Sequence, residues 1–408
     1  MLSSPVANAI GVDVQNFYRI PFLSIRWIDI AILIVIGSFF YSLTIVKERL
    51  DNSGTIVSLC IIYLVFEAFQ LYRSWALADV PSQVSHFLST ISLFIIIDLS
   101  TYAIPTDKII AFLKSYAILG AFVITITNLY LLYSFISGNV IFKDLDIRVA
   151  LEVEGSKETV YTTVLTPFVY AFGLYFIQKK SKTWHKLLFI SAIISIYVSL
   201  VITFYRGTFV MVAIITLYFL LSSGKSQDVV AKLFGTVLLM SLGYLIFGPL
   251  LAEKGYDPIT KLIEIAEFTV DINNPQWDKG RSISHEYAIE AWKQNLWIGA
   301  GYDELAHYGF PENLASAHNG ILTSLFHRGI LGTLLLLSVL ILLFKYAMNL
   351  WPILSRENNR ESEMMKLLII VSFVWIITFM TQEALWEKYS LCIQYLYLGL
   401  ITNFYKQA

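Results

Sequence analysis

Residues Gly320–Phe344 read GILTSLFHRGILGTLLLLSVLILLF. This run exceeds the ~20 apolar residues that carry a helix across a hydrocarbon core. It does not alternate polar and apolar positions as a lipid-facing barrel strand would, so it reads as a helix. Similar runs recur along the chain. Spans are expected at Ile28–Val46, Thr55–Tyr72, Ser85–Ile104, Ile109–Ile136, Val160–Ile177, Leu187–Tyr205, Thr208–Leu221, Val230–Leu251, Gly320–Phe344, Leu367–Thr381 and Tyr389–Phe404. That makes about eleven, or roughly ten to twelve, by apolar length. The shortest, Thr208–Leu221, needs to extend into Ser222-Ser223 or to lean on other helices. The expected fold class is all-α, a polytopic transmembrane helical bundle.

Composition agrees. Hydrophobic residues make up 57% of the chain and charged residues 14%, against about 25% charged in a typical soluble protein. A net charge of −1 gives no case for a nucleic-acid partner. Cys60 and Cys392 lie far apart in separate apolar runs, which argues against a disulfide framework or a thiolate metal site. The residues through Arg26 lack a basic start followed by an apolar core, so no cleavable signal peptide is expected. One integrated membrane domain results, with an N-terminal bundle at 1–251, an outer loop at 252–317 and C-terminal helices at 318–408.

Lysine and arginine in short loops set the orientation. Lys179, Lys180, Lys182 and Lys186 crowd one connection, Lys225 and Lys232 flank the next on that side, and Lys345, Arg356, Arg360 and Lys366 cluster later. Taking these loops as cytoplasmic puts Ala252–Ala317 and the Tyr205-Arg206-Gly207 turn outside. Counting back leaves the N-terminus outside as well, which Arg19 and Arg26 mildly oppose.

The outer segment contains GRSISHEYAIEAWKQNLWIGAGYDEL from Gly280, then ENLASAHNGILTSLFHRGILG from Glu312. Ile283, Tyr287, Ala288, Ala291 and Trp292 recur at helical spacing, with His285, Glu286, Glu290 and Lys293 between them. Ser282 suits the N-cap of this amphipathic helix. Gly299 and Gly301 supply a turn that leads back toward His318.

Arg206 is expected in a turn at the membrane boundary, where it either snorkels to headgroups or grips a ligand. Arg281 either pairs with Asp278 or Glu286, or serves a ligand likewise. Two planar guanidinium groups on one side suit a diphosphate. His318 opens a helix, whose dipole favours the neutral imidazole that a general base requires. Its plainer reading is an interfacial histidine beside a capping Asn319. His327, further in, is expected to pack or pair inside the bundle. His86, His185 and His307 are isolated, and the histidines have no zinc spacing. Glu383 and Glu387 occupy the last outer turn, where they orient the histidine, bind a sugar hydroxyl or are simply solvated. Glu67 and Asp98 within apolar runs are functional candidates that could equally pair inside the bundle.

An arginine-glycine turn between spans, an outer G-R before a tryptophan-bearing helix, a G-x-G turn, and A-H-N before R-G-I-L-G resemble one family. It is the O-antigen ligase and polymerase superfamily of bacterial envelope glycosyltransferases. The resemblance covers about Thr162–Thr402. It implies a GT-C-like membrane fold in the bacterial cytoplasmic (inner) membrane, with the active site on the extracytoplasmic, periplasmic face. It also implies undecaprenyl-diphosphate-linked glycans as donor and acceptor, membrane lipid around them, no cofactor or metal, and a chain-length regulator as a candidate partner. Carried onto this sequence, Arg206 and Arg281 would hold the donor diphosphate and His318 would deprotonate or hydrogen-bond the acceptor hydroxyl. Glu383 would be a second catalytic group, with Asn319 and His285 in support. A short outer loop, and Ser-Ala-His-Asn where some ligases carry His-x-His-Asn, favour a polymerase over a ligase. A transporter or flippase would instead announce itself by an internal repeat and broken helices near mid-membrane, and neither is expected.

Overall fold

The computed structural model describes residues 54–74, 87, 91, 95–97, 100–101, 104–136, 160–179, 182–203, 206–222, 245, 248–249, 279–301, 319–357, 359–375 and 388–407. Among them every regular element is a helix. In chain order these are α1 (Gly54–Ser74), α2 (Thr106–Ile136), α3 (Val160–Gln178), α4 (Thr183–Thr203) and α5 (Arg206–Ser222), then α6 (Lys279–Gln294), α7 (Gly320–Arg356), α8 (Arg360–Val374) and α9 (Lys388–Gln407). The spans expected at Thr55, Ile109, Val160, Leu187, Thr208, Gly320, Leu367 and Tyr389 all begin on these helices. Those at Ile28–Val46, Ser85–Ile104 and Val230–Leu251 lie wholly or largely outside the described residues. Three helical stretches are long and apolar enough to cross a membrane, namely Lys108–Leu129, Thr183–Leu200 and Gly320–Arg356. Large apolar side chains face outward at helical spacing, among them Leu331, Leu334, Ile341 and Met348 on α7. Such a face suits lipid and not water. The chain is an integral membrane protein.

Two compact units divide the chain, one of residues 1–17 and 112–277, the other of 18–111 and 278–408. In the first, α3 packs on both α4 and α5. A Cβ on Gly120 of α2 would lie 2.8 Å from Val169 on α3, the close approach by which membrane helices gain dispersion contact. Hydroxyls then tie the bundle together. Tyr170 Oη meets Tyr197 Oη at 2.6 Å and Thr216 Oγ1 at 2.7 Å, linking α3, α4 and α5.

In the second unit α7 is the hub, in contact with α1, α6, α8 and α9. Asn319 caps it, its side chain accepting from Ile321 N and Leu322 N at 3.0 and 3.1 Å. Asn359 caps α8 in the same way, accepting from Ser362 N at 2.8 Å. Two expectations need correction here. Lys345 and Arg356 lie on α7 and not in a connection, because the helix continues to Arg356. Its 37 residues, at about 1.5 Å each, outreach a hydrocarbon core of ~30 Å. Second, α7 is broken. Gly329 has φ 63° and ψ −168°, so one of the marks assigned to a transporter is present after all.

Candidate active site

The break in α7 and the segment that follows α6 are one construction. On α6, Ala288 and Ala291 are buried while Glu286, Glu290 and Lys293 face out. The Lys293–Glu290 ion pair at 2.6 Å is exposed on both sides, so it adds little to stability. The helix starts at Lys279, so Ser282 lies inside it and is not the N-cap. The run of helical residues simply extends one turn further upstream than the apolar pattern. Arg281 therefore stands in the first turn of α6 and not before it.

Beyond α6 the chain turns at Asn295–Ile298 and then at Gly299 and Gly301, whose φ values are 69° and 77°. These two glycines supply the expected turn. Residues 296–301 next pair with 326–331 along the broken part of α7. Ala300 N and Gly301 N donate to Phe326 O and His327 O at 2.7 and 2.8 Å. Ile330 N and Leu331 N donate to Leu296 O and Trp297 O, each at 3.0 Å. The helix break would orphan these groups, and an unpaired backbone group inside a membrane costs several kcal/mol. Here each has a backbone partner. Gly299 and Gly329 cross in contact; a Cβ on Gly299 would lie 2.6 Å from Arg328 N. His327 Nδ1–H donates to Gly301 O at 2.8 Å, the interior pairing expected for that histidine.

Charges close the joint from α1. Arg328 Nε donates to Glu67 Oε1 at 2.7 Å, with the side chains 4% and 2% exposed. Its guanidinium also lies 5.9 Å from the centroid of the Tyr63 ring. Gln70 Nε2 donates to Ile298 O, and Arg73 Nη1 to Gly299 O at 3.1 Å and to Gln70 Oε1 at 2.8 Å. Removing one partner of a buried pair of this kind costs about 3–5 kcal/mol, because the other charge stays buried. Of the alternatives for Glu67, pairing inside the bundle is the one realised. Sequence reading missed Arg328, Gln70 and Arg73; the available signal was an acid and an arginine in separate apolar runs, each needing the other.

Ala291, Ala300 and Phe326 share one buried cluster, while Leu296 bonds to Ile330. Together these contacts set the C-terminal part of α6 and the turn after it against the Gly329 break of α7. His285 Nε2 on α6 and Thr323 Oγ1 on α7 are each buried with no hydrogen-bond partner among the described residues. Arg206 is the first residue of α5, so it opens a helix instead of sitting in a loop, and it falls in the first unit. Asn319 is a cap. His318, Glu383, Glu387, Asp98, His86 and His307 lie outside the described residues, and His185 rests against Trp184 with ring centroids 3.8 Å apart.

Comparison with known proteins places this arrangement. No curated protein matches the chain. A family model described as O-antigen ligase matches residues 189–337. That stretch runs from α4 through Arg206, Arg281 and His318 and past the Gly329 break, and over it the chain is similar to the O-antigen ligase family, which supports the resemblance read from the sequence.

Proposed function

We propose that the protein is an O-antigen polymerase-type glycosyltransferase that joins undecaprenyl-diphosphate-linked repeat units at the outer face of the cytoplasmic membrane. The match over 189–337 carries this reading, because it encloses Arg206, Arg281 and His318. Arg206 and Arg281 each stand in the first turn of a helix, where free backbone N–H groups and the dipole already favour an anion. Each contributes a bidentate fork to the donor diphosphate. The acceptor hydroxyl attacks the anomeric carbon from the face opposite the diphosphate, giving inversion. The new bond is acceptor oxygen to anomeric carbon, and the bond lost joins that carbon to the diphosphate oxygen. His318 receives the hydroxyl proton, or holds that hydroxyl by a hydrogen bond, and Glu383 orients the histidine. The diphosphate departs with its polyprenyl chain, and the reaction as written needs no nucleotide sugar.

The test is elongation of lipid-linked oligosaccharide, extracted from cells lacking this gene, by the purified full chain. General-base assistance is worth roughly 10²–10⁴ in rate, so His318→Ala retaining activity within about threefold of wild type removes His318 from the chemistry. Substantial rescue by His318→Gln keeps the site and removes the base, since glutamine hydrogen-bonds but takes no proton at neutral pH.

The matched description names a ligase, which favours a second reading with the same chemistry and another acceptor. In it the glycan passes to a lipid A core or a protein, and the product of the same assay with that acceptor added distinguishes the two. The break in α7 is a feature that transporters share. In them the freed backbone groups bind substrate or ion, whereas here the groups at 326, 327, 330 and 331 are taken by residues 296–301.

A further inference from the structure

Tyr63, Glu67, Gln70 and Arg73 recur every three or four residues, which puts them on one face of α1. All four reach the same joint. Glu67 holds Arg328, the last residue before the break, and Tyr63 lies against the same guanidinium. Gln70 and Arg73 hold the carbonyls of Ile298 and Gly299 on the segment paired with it. Phe66, on the same helix, presses against Gly332 just past the break; a Cβ there would lie 2.8 Å from its Cζ. The backbone bonds from 296–301 fasten that segment to both halves of α7, and α1 fastens the whole joint.

Apolar side chains suffice to pack one membrane helix on another. A buried ion pair and two charge- or amide-held carbonyls add direction to the contact, and direction matters here because the first half of α7 is a lever. Gly320–Arg328 is about 13 Å long at helical rise. A swing of about 5° at Gly329 therefore moves its tip by about 1 Å, and a misplacement of that size costs on the order of 10²-fold in rate.

We infer that Glu67, Gln70 and Arg73 are positioning residues for the glycosyl transfer, clamping the Gly329 break so that the half-helix after His318 holds its aim. The inference rests on the reading of His318 given above, and the experiment separates the two. In full-length protein in nanodiscs, with Cys60→Ala and Cys392→Ala, spin labels at Leu322→Cys and Met348→Cys report the distance across the break. That separation is at most about 39 Å, the length of 26 straight helical residues, and shorter by the bend at the break. Glu67→Gln is expected to shift or broaden this distance and to lower kcat about 10- to 100-fold. KM for extracted lipid-linked oligosaccharide should stay within about twofold. The swap Glu67→Arg with Arg328→Glu should recover part of both losses, which a cavity or a misfolded helix would not.

An unchanged distance in Glu67→Gln overturns the clamp, and a changed distance with unchanged kcat overturns the positioning role. If Glu67→Gln does not fold, Arg73→Lys, which removes the guanidinium Nη1 that donates to both Gly299 O and Gln70 Oε1 and keeps the charge, is read in the same two ways. His318→Ala measured alongside decides the underlying reading by activity alone, while the distance decides the clamp independently.

Discussion

Replacing Gly329 by alanine tests whether the break is built in by tertiary structure. At φ 63° and ψ −168° the backbone lies in a region essentially confined to glycine, and a side chain there costs about 1–3 kcal/mol. The new Cβ would also land on the main chain of Trp297, Ile298 and Gly299, which cannot rotate aside. Relief requires lifting 296–301 from α7, which sacrifices the bonds of Ile330 N to Leu296 O and Leu331 N to Trp297 O. Each group left unpaired in a buried place costs about 1–3 kcal/mol. A loss of about 3–9 kcal/mol follows, or a fall in melting temperature on the order of 10 °C at about 2 °C per kcal/mol. Gly332→Ala is the control. Its Cβ meets the Phe66 ring, a side chain able to turn, and Arg328 Cβ at 2.7 Å, which moves only with the backbone, so a cost of about 1–3 kcal/mol is expected. Thermal denaturation in nanodiscs, with elongation of extracted lipid-linked oligosaccharide measured on the same samples, reads both variants. A Gly329→Ala protein that melts within about 2 °C of wild type and elongates at full rate refutes the reasoning. So does a Gly332→Ala protein that is the less stable of the two.

Arg206→Lys and Arg281→Lys keep the charge and lose the planar fork, so each should cut elongation at least tenfold (about 1.4 kcal/mol of transition-state binding); full activity with both changed to alanine would end the diphosphate assignment. Asn319→Ala removes the acceptor for Ile321 N and Leu322 N and should destabilise by about 1 kcal/mol, seen as a melting shift of a few degrees that Asn319→Asp largely avoids. The orientation is tested by Asp271→Cys and Ser355→Cys, placed singly in a cysteine-free background. Labelling of Ser355→Cys but not Asp271→Cys by an impermeant reagent in intact cells would invert the map.

Apolar length alone made much of this fold legible. The helix expected from Thr208 needed a little more length, and it finds it by reaching Ser222 at one end and Arg206 at the other. Asn319 was readable as a cap and Gly299-x-Gly301 as a turn, because both depend on neighbours within three residues. The break at Gly329 was not readable. RGILG is compatible with an unbroken helix, and what opens it is a set of backbone bonds from a segment thirty residues upstream, invisible to any local pattern. The pairing of Glu67 with Arg328 was hidden for the same reason. Each looked expensive alone, and nothing in either run names the other. Helix starts erred by a turn at α6, where polar Lys279–Ser282 continues the helix past its apolar face. For the site, the sequence supplied residue types and order. The structure adds that Arg206 and Arg281 stand in the first turns of α5 and α6.

The ion pair also bears on how the chain is made. Glu67 and Arg328 are 261 positions apart. At 5–20 residues per second, roughly 10–50 s separate the synthesis of the acid from that of its cation. Through that interval α1 is a finished apolar helix carrying a carboxyl group whose partner does not yet exist. It must wait at the membrane edge or shelter against an earlier helix. Only when the ribosome has passed Arg328 can α1 take its final place, so this early helix is among the last to settle.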